Sequence, residues 1–325
     1  MHRRKFLSLI VGGVASGFAP GASAQRDNWP QRPVRMIIPY AVGGPTDLAA
    51  RAICARLSER LGQPFVVENR PGAGGSMATE NVVNAAPDGY TLLYHTSGLA
   101  SNTALYKNLR FDPRKDLAPV GQTIALGAVL LANPNLPAAD PRQLFAYLKA
   151  NPGKVSYGSG GIGNGSHLEM EAILQATGTK AIHVAYKGTA PAMLDLMRGD
   201  VQLAIDAVST AFPRIREGRV RALAVLSATR DPALPNVPTL AESGIPGYRG
   251  DGWNGVWAPV KTPPRLLERI STELAATLAD PQVRAGIEQP GIQLRPSTLA
   301  QFAALINAEI DRFEQIVRTA KITVE

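Results

Sequence analysis

A single cysteine, Cys54, occurs in the 325 residues, so no disulfide can form within the chain. It lies inside a helical pattern, where a buried apolar role is expected. Histidine is almost as scarce: of four, the three beyond the first segment are His95, His167 and His183, far apart in sequence. His167 and Glu171 make only a bare i, i+4 pair, ordinarily a solvated helix face, so no metal site and no cofactor are expected. The net charge is +8, yet the basic residues are scattered and no Lys/Arg run is interleaved with aromatics, which argues against nucleic-acid binding. Long apolar runs are missing too. Phe6 to Ala19 falls well short of the roughly 20 residues of a membrane span, and nothing later comes closer. Internal repeats and low-complexity segments are absent.

What is present begins with a leader. His2-Arg3-Arg4-Lys5 is basic, Phe6 to Ala19 is apolar, and Ala22-Ser23-Ala24 suits a small-residue cleavage site. Residues 1–24 therefore read as a secretory signal cleaved after Ala24. The pair Arg3-Arg4 before Phe6-Leu7 suggests twin-arginine export, although His2 stands where Ser or Thr is usual, so the route stays open. Removing the leader leaves about 300 residues, enough for two α/β lobes. Export without disulfides fits the periplasm.

The stretch Pro39-Tyr40-Ala41-Val42-Gly43-Gly44-Pro45-Thr46-Asp47 follows the strand-like run Val34 to Ile38. Behind it, Ala49, Ile53, Leu57 and Leu61 repeat at helical spacing up to Gly62. Thr46 or Asp47 is expected to cap that helix, leaving other amide N–H groups unpaired. A helix start reached through glycines attracts anions, at about 0.3–2 kcal/mol per charge for the dipole. This loop is expected to hold one carboxylate of a small organic acid; a plain strand-to-helix turn is the alternative.

Strands and helices alternate along most of the chain. Phe65 to Val67 is a strand, Arg70 to Ser76 a second glycine-rich loop, and Met77 to Ala85 a helix. Tyr90 to Tyr94 is a third strand, ending at His95-Thr96-Ser97-Gly98. The repeat predicts a mostly parallel sheet with helices on both faces and ligands at the carboxyl ends of the strands, where the loops converge. The apolar run Ile124 to Ala132 leads to Asp140-Pro141-Arg142-Gln143, a helix start with cap, proline and glutamine. Val155 to Tyr157 feeds a third glycine loop, Gly158 to Ser166, and a helix to Gly178. Further strands are expected at Ala181 to Tyr186, Val201 to Ile205, which delivers Asp206, and Val220 to Leu226. Residues 125–228 read as a second lobe inserted into a first lobe of residues 25–124 and 229–325. The tail holds Trp253, Trp257, a helix after Thr262 and one from Leu299 to Ala320. Two crossings make a hinge and place the site between the lobes.

Several chemical motifs compete. Gly158-Ser159-Gly160-Gly161-Ile162-Gly163 matches a dinucleotide fingerprint, but the next strand ends Ala185-Tyr186-Lys187 without the required acid. Asn164 and Ser166 capping the helix, with free N–H groups facing the cleft, suit an anion as well. Gly74-Gly75-Ser76-Met77-Ala78 lacks the last glycine of a nucleophile elbow, so Ser76 reads as a helix cap. His95 ends a strand and is expected either at the cleft or in a structural hydrogen bond. Asp206 either caps the turn after its strand or accepts bonds from a ligand ammonium, hydroxyl or bound water. Trp253 either lines the cleft or packs in the core.

These residues together resemble the solute-binding receptors of tripartite tricarboxylate transport systems, the Bug family. The resemblance runs along nearly the whole chain after the leader. It is carried by Pro39 to Asp47, Val67-Glu68-Asn69-Arg70-Pro71-Gly72-Ala73-Gly74-Gly75, Pro87-Asp88-Gly89-Tyr90-Thr91-Leu92, Tyr157 to Gly161 with His167-Leu168, Tyr186-Lys187-Gly188-Thr189-Ala190-Pro191, and Pro235-Asn236-Val237-Pro238-Thr239 with Glu242-Ser243-Gly244.

The resemblance implies an α/β periplasmic binding protein of the type II arrangement: two lobes closing on a ligand cleft, no catalysis, and backbone amides with water gripping a carboxylate. The residues it carries over are Tyr40, Ala41, Gly43, Gly44, Thr46 and Asp47 in the first lobe, and Ser159, Gly160, Asn164 and Ser166 in the second. Thr96, Tyr186, Gly188, Asp206 and Trp253 would shape the far end. Implied ligands are di- and tricarboxylates such as citrate, amino acids and aromatic acids. Implied partners are transient integral-membrane transporter subunits, with the receptor itself a monomer. Val42 and Pro45 stand where Pro and Gly are frequent, and proline removes a donor. A ligand sensor working with a signalling receptor, or a periplasmic enzyme using His95, Asp206 or Ser76, are the competing functions.

Overall fold

The computed structural model describes residues 29–72, 75–106 and 108–323; the leader expected over residues 1–24 lies outside them. The chain opens with β1 (Val34–Ile38), α1 (Pro45–Leu61), β2 (Phe65–Asn69), α2 (Ser76–Val83), β3 (Thr91–Thr96), α3 (Gly98–Leu105) and α4 (Pro113–Asp116). Strand β4 (Leu117–Leu126) runs into β5 (Ala128–Ala132). Then come α5 (Pro141–Ala150), β6 (Ser156–Ser159), α6 (Gly165–Thr177), β7 (Ile182–Ala185), α7 (Thr189–Arg198), β8 (Leu203–Ala207), α8 (Val208–Arg216) and β9 (Arg221–Val225). The last part holds β10 (Gly252–Pro259), α9 (Pro264–Leu278), α10 (Pro281–Ile287), β11 (Ile292–Leu294) and α11 (Leu299–Ala320).

Apart from Arg35, which pairs with Glu68 of β2, strand β1 is apolar because both of its faces are covered. Helices α1, α9 and α10 pack Ile53, Leu57, Ile270, Leu274 and Val283 on one side of its sheet. Helices α3 and α11 pack Leu99, Phe302 and Ile306 on the other. Cys54 is a free, buried thiol in the first of these layers. The second sheet is covered in the same way, by Leu144, Leu148, Ile173 and Leu174 of α5 and α6, and by Met193, Leu196 and Ala211 of α7 and α8.

Strand order is β11-β4-β10-β3-β1-β2 in the six-stranded sheet and β7-β6-β8-β5-β9 in the five-stranded one. Only β1–β2, β1–β3, β6–β7 and β6–β8 pair in parallel. The pairs β10–β3, β10–β4, β11–β4, β5–β8 and β5–β9 are antiparallel. Both sheets are thus mixed rather than mostly parallel. The strands β4, β5 and β10 that carry the chain between sheets, with β11 beside them, account for the difference: no crossover helix aligns them with their neighbours.

The apolar run Ile124 to Ala132 is two strands divided by Gly127. The Gly127 N–H donates to the Gly291 carbonyl on the first-sheet side, and its carbonyl accepts from the Val208 N–H on the second. Ala125 and Leu126 still pair with Trp253 and Gly252, so the crossing falls at Gly127 rather than at residue 125. The return also lies later than residue 229. Leu234, Val237, Leu240 and Ile245 pack on the five-stranded sheet, and the Leu240 N–H donates to the Val225 carbonyl. The chain re-enters the first sheet only at Gly252.

Candidate functional site

A cavity of about 350 Å³ opens where the two sheets meet. The first sheet contributes Ser97 after β3, Leu126 of β4, and Glu309 and Phe313 of α11; the second contributes Asn164 to Ser166, Glu169, Thr189 and Asp206. The two crossings, Gly127 and Gly250 to Gly252, form its back. Most of these positions are strand ends or helix starts, where open α/β sheets take ligands. A larger groove of about 770 Å³ between α6 and α11 shares Glu309 with the cavity and is lined by none of the predicted residues.

The third glycine loop enters the cavity through Asn164, Gly165 and Ser166. Asn164 caps α6 by accepting from the Ser166 N–H at 3.0 Å. Most amides of this loop are already committed. Gly160 N–H donates to Ser166 Oγ, Gly161 N–H to Ser159 Oγ, and Gly163 N–H to His167 Nδ1. The Gly165 N–H and, at the start of α7, the Thr189 N–H make no hydrogen bond among the described residues. Both are orphan donors of helix starts and supply positive ends without a charged side chain. Among the described residues, no lysine, arginine or histidine lines the cavity.

Its acids are mostly paired. Glu169 receives Arg312 at 2.6 and 3.1 Å and the Tyr248 hydroxyl at 2.7 Å; Glu309 shares the same arginine. Asp251 pairs with Arg249 and Arg295. Asp206 ends β8 nearly buried, accepts from the Ala207 N–H at 2.9 Å, and burial lifts its pKa above the usual carboxylate range.

Of the residues predicted for the ligand, Asn164, Ser166 and Asp206 line this cavity. Ser159 is fully buried, its hydroxyl against His183 Nε2 at 2.6 Å. Gly188 donates to the Gly160 carbonyl, and the Tyr186 hydroxyl donates to Asp195 at 2.7 Å, so neither group is turned to the cavity. Trp253 is core rather than cleft wall: it packs edge-on against Phe302 and beside Trp257, at 1% exposure.

The first loop stands beside the cavity rather than in it. Tyr40 Oη meets Thr96 Oγ1 at 2.6 Å, one residue from Ser97. Ala41 and Gly43 are exposed, and Thr46 Oγ1 accepts from Asn254. The helix cap is Gly44, not Thr46 or Asp47, because Pro45 takes the first helical position. Asp47 is buried and fully engaged. It accepts from the Gly43 N–H at 2.9 Å, Arg51 Nε at 3.0 Å and Asn69 Nδ2 at 2.8 Å. These bonds shape the loop and occupy the Gly43 donor. The N–H groups of Gly44 and Thr46 make no hydrogen bond among the described residues.

Gly43 has φ +89°, whereas Gly44 has φ −76°, and a Cβ there would make only an ordinary contact with the Ala41 carbonyl oxygen at 3.9 Å. Gly43→Ala is expected to destabilise by about 1–2 kcal/mol, as a left-handed backbone penalises a side chain. Gly44→Ala should fall within about 0.5 kcal/mol of wild type, checked by urea titration of both variants.

Ser76 is the first residue of α2; the cap is Gly75. His95 is fully buried, accepts the Thr96 N–H on Nδ1, and burial lowers its pKa to about 4. Neither joins Asp206 at the cavity. Ser97, Gly165, Glu169, Thr189, Asp251 and Glu309 were not foreseen. Gly165 and Thr189 had a signal, lying in or just after a glycine turn; a glutamate in mid-helix had none.

Two mixed α/β sheets crossed twice by the chain, with a cavity between them at strand ends, define a two-lobed solute-binding fold. The model of the tripartite tricarboxylate transporter family receptor matches residues 49–322, and the chain belongs to that family of periplasmic receptors. BugT of Bordetella pertussis is 35% identical over 321 residues, 98% of each chain. Among solved structures, R. palustris Rpa4515 with adipate is 35% identical, covering 91% of this chain and 99% of that one at a TM-score of 0.74. MatC from Rhodopseudomonas palustris with bound malate is 33% identical, covering 89% and 100% at 0.70.

Proposed function

We propose that this receptor captures a small carboxylate in the cavity between its sheets and passes it to integral-membrane subunits of a tripartite tricarboxylate-type transporter. The observation that carries the reading is the pair of unpaired helix-start donors, Gly165 and Thr189 N–H, opening on one cavity with no basic side chain. The relatives holding adipate and malate support the ligand class. In this reading the lobes hinge at Gly127 and Gly252 and close over the acid, bringing the spare Gly44 and Thr46 N–H groups of the first loop toward it. The chain works as a monomer after cleavage behind Ala24 and export to the periplasm, and docks transiently on its transporter. No catalytic step is needed for that task.

Succinate, malate, adipate, citrate, glutamate and benzoate, each added in a thermal-shift series, test this. At least one is expected to stabilise saturably, by about 2.7 kcal/mol at a hundredfold excess over Kd, while nuclear magnetic resonance shows the acid unchanged. No stabilisation by any acid, or consumption of one, would contradict the reading. Asp206→Asn should reorder succinate, malate and aspartate, which differ by a hydroxyl or an amino group. An unaltered order would leave Asp206 with the fold alone.

A further inference from the structure

The two histidines of the second lobe, far apart in sequence, lie face to face. The rings of His167 on α6 and His183 on β7 stack with centroids 3.9 Å apart and planes 7° from parallel. Tyr157 of β6 continues the stack at 4.9 Å from His183. Both imidazoles are tied to the third glycine loop, at different points. His183 Nε2 meets Ser159 Oγ, 2.6 Å away, where β6 ends and the loop begins. His167 Nδ1 accepts the Gly163 N–H at 3.1 Å at the loop's far side. Just past the second anchor, between Gly163 and His167 itself, the loop presents Asn164, Gly165 and Ser166 to the cavity.

A neutral imidazole is required for the second tie, because a ring nitrogen that carries a proton cannot accept. Protonating His167 on Nδ1 sets two N–H groups against each other and frees Gly163. Protonating His183 places a charge against its stacked neighbour. We propose that His167 and His183, in their neutral forms, are positioning residues that hold the third glycine loop in its solute-binding shape, so that capture of a carboxylate weakens when either ring is protonated. The proposal rests on the reading that this cavity takes an acid.

The titratable groups facing the pair are Tyr157 from β6 and Glu171 from α6, whose carboxylate accepts the Tyr157 hydroxyl at 2.6 Å. Burial, and then the neighbouring His167, hold His183 down at about 4, against a smaller opposing pull from Glu171; burial lowers His167 as well. Both groups have folded values below the ordinary one. Their contribution is therefore complete above about pH 6.5 and is lost as the pH falls toward the folded values.

His167→Asn places an amide oxygen near the Nδ1 position without a titrating ring; His167→Leu removes the acceptor. Malate affinity by calorimetry is compared at about pH 7.5 and about pH 4.5. Wild type is expected to lose about tenfold beyond any change seen in His167→Asn, which shares both malate's own protonation and the His183 titration, and His167→Leu to be weak at both values. In the ligand-free protein the Gly163 amide resonance should move with the His167 ring titration. Equal pH dependence in wild type and His167→Asn, or a Gly163 amide indifferent to that titration, overturns the proposal. Should malate bind at neither pH, the carboxylate reading fails for that acid, and the Gly163 resonance still decides the role of the histidines.

Discussion

Arg312→Ala is expected to lower the unfolding free energy by about 3–5 kcal/mol at neutral pH, the usual cost of removing one partner from a buried ionic group. Arg312 reaches from α11 of the first sheet to Glu169 on α6 of the second, and also binds Glu309 one turn back. The two glutamate side chains are only 8% and 9% exposed, so the variant leaves two carboxylates at the cavity with one hydroxyl, that of Tyr248, between them and no cation. Burial already raises Glu309 above the usual carboxylate range. Without Arg312, Glu309 should bind its proton still more readily folded than unfolded. The loss should then shrink as the pH drops from about 7 to about 5, opposite in sign to ordinary acid denaturation. Urea titrations at the two pH values check this. A variant as stable as wild type, or one whose deficit grows on acidification, would show that the pair does not join the sheets.

Asp47→Ala is expected to cost about 2 kcal/mol of stability at neutral pH and to weaken acid binding several-fold. The Arg51 guanidinium beside Asp47, helped by Gly43 and Asn69, holds its carboxyl at about 2. A lowered folded value means that its stabilisation is present above the unfolded carboxylate value and disappears as the pH falls toward about 2. The wild-type advantage over the variant should therefore be full at about pH 6 and small near about pH 2.5. Arg51 is 45% exposed, so salt should trim the effect only in part; the Gly43 and Asn69 bonds are shielded. Loss of affinity without loss of stability would instead make Asp47 a direct ligand contact.

Local signals were read correctly where each residue's neighbours in sequence decide the outcome. The Asp140 cap accepts the Gln143 N–H, and Gln143 Oε1 reaches back to the Ala139 N–H. Helix α11 runs from Leu299 to Ala320, and its Thr298 and Gln301 form a capping box. Strand direction was misread because βαβ alternation says nothing about strands that pass from one sheet to the other. The first-loop cap was misread because Pro45 shifts the helix start by one residue and turns Asp47 inward.

The order of strands and helices, the glycine turns at their ends and the family motifs are properties of short segments, so the sequence alone settled the α/β class and the receptor family. Which donors remain unspent, which acids are paired across the cavity, and that His167 lies on His183 depend on contacts between residues distant along the chain. Only packing of the two sheets against each other decides those, because no local spacing records which hydrogen-bonding groups the rest of the fold has already taken.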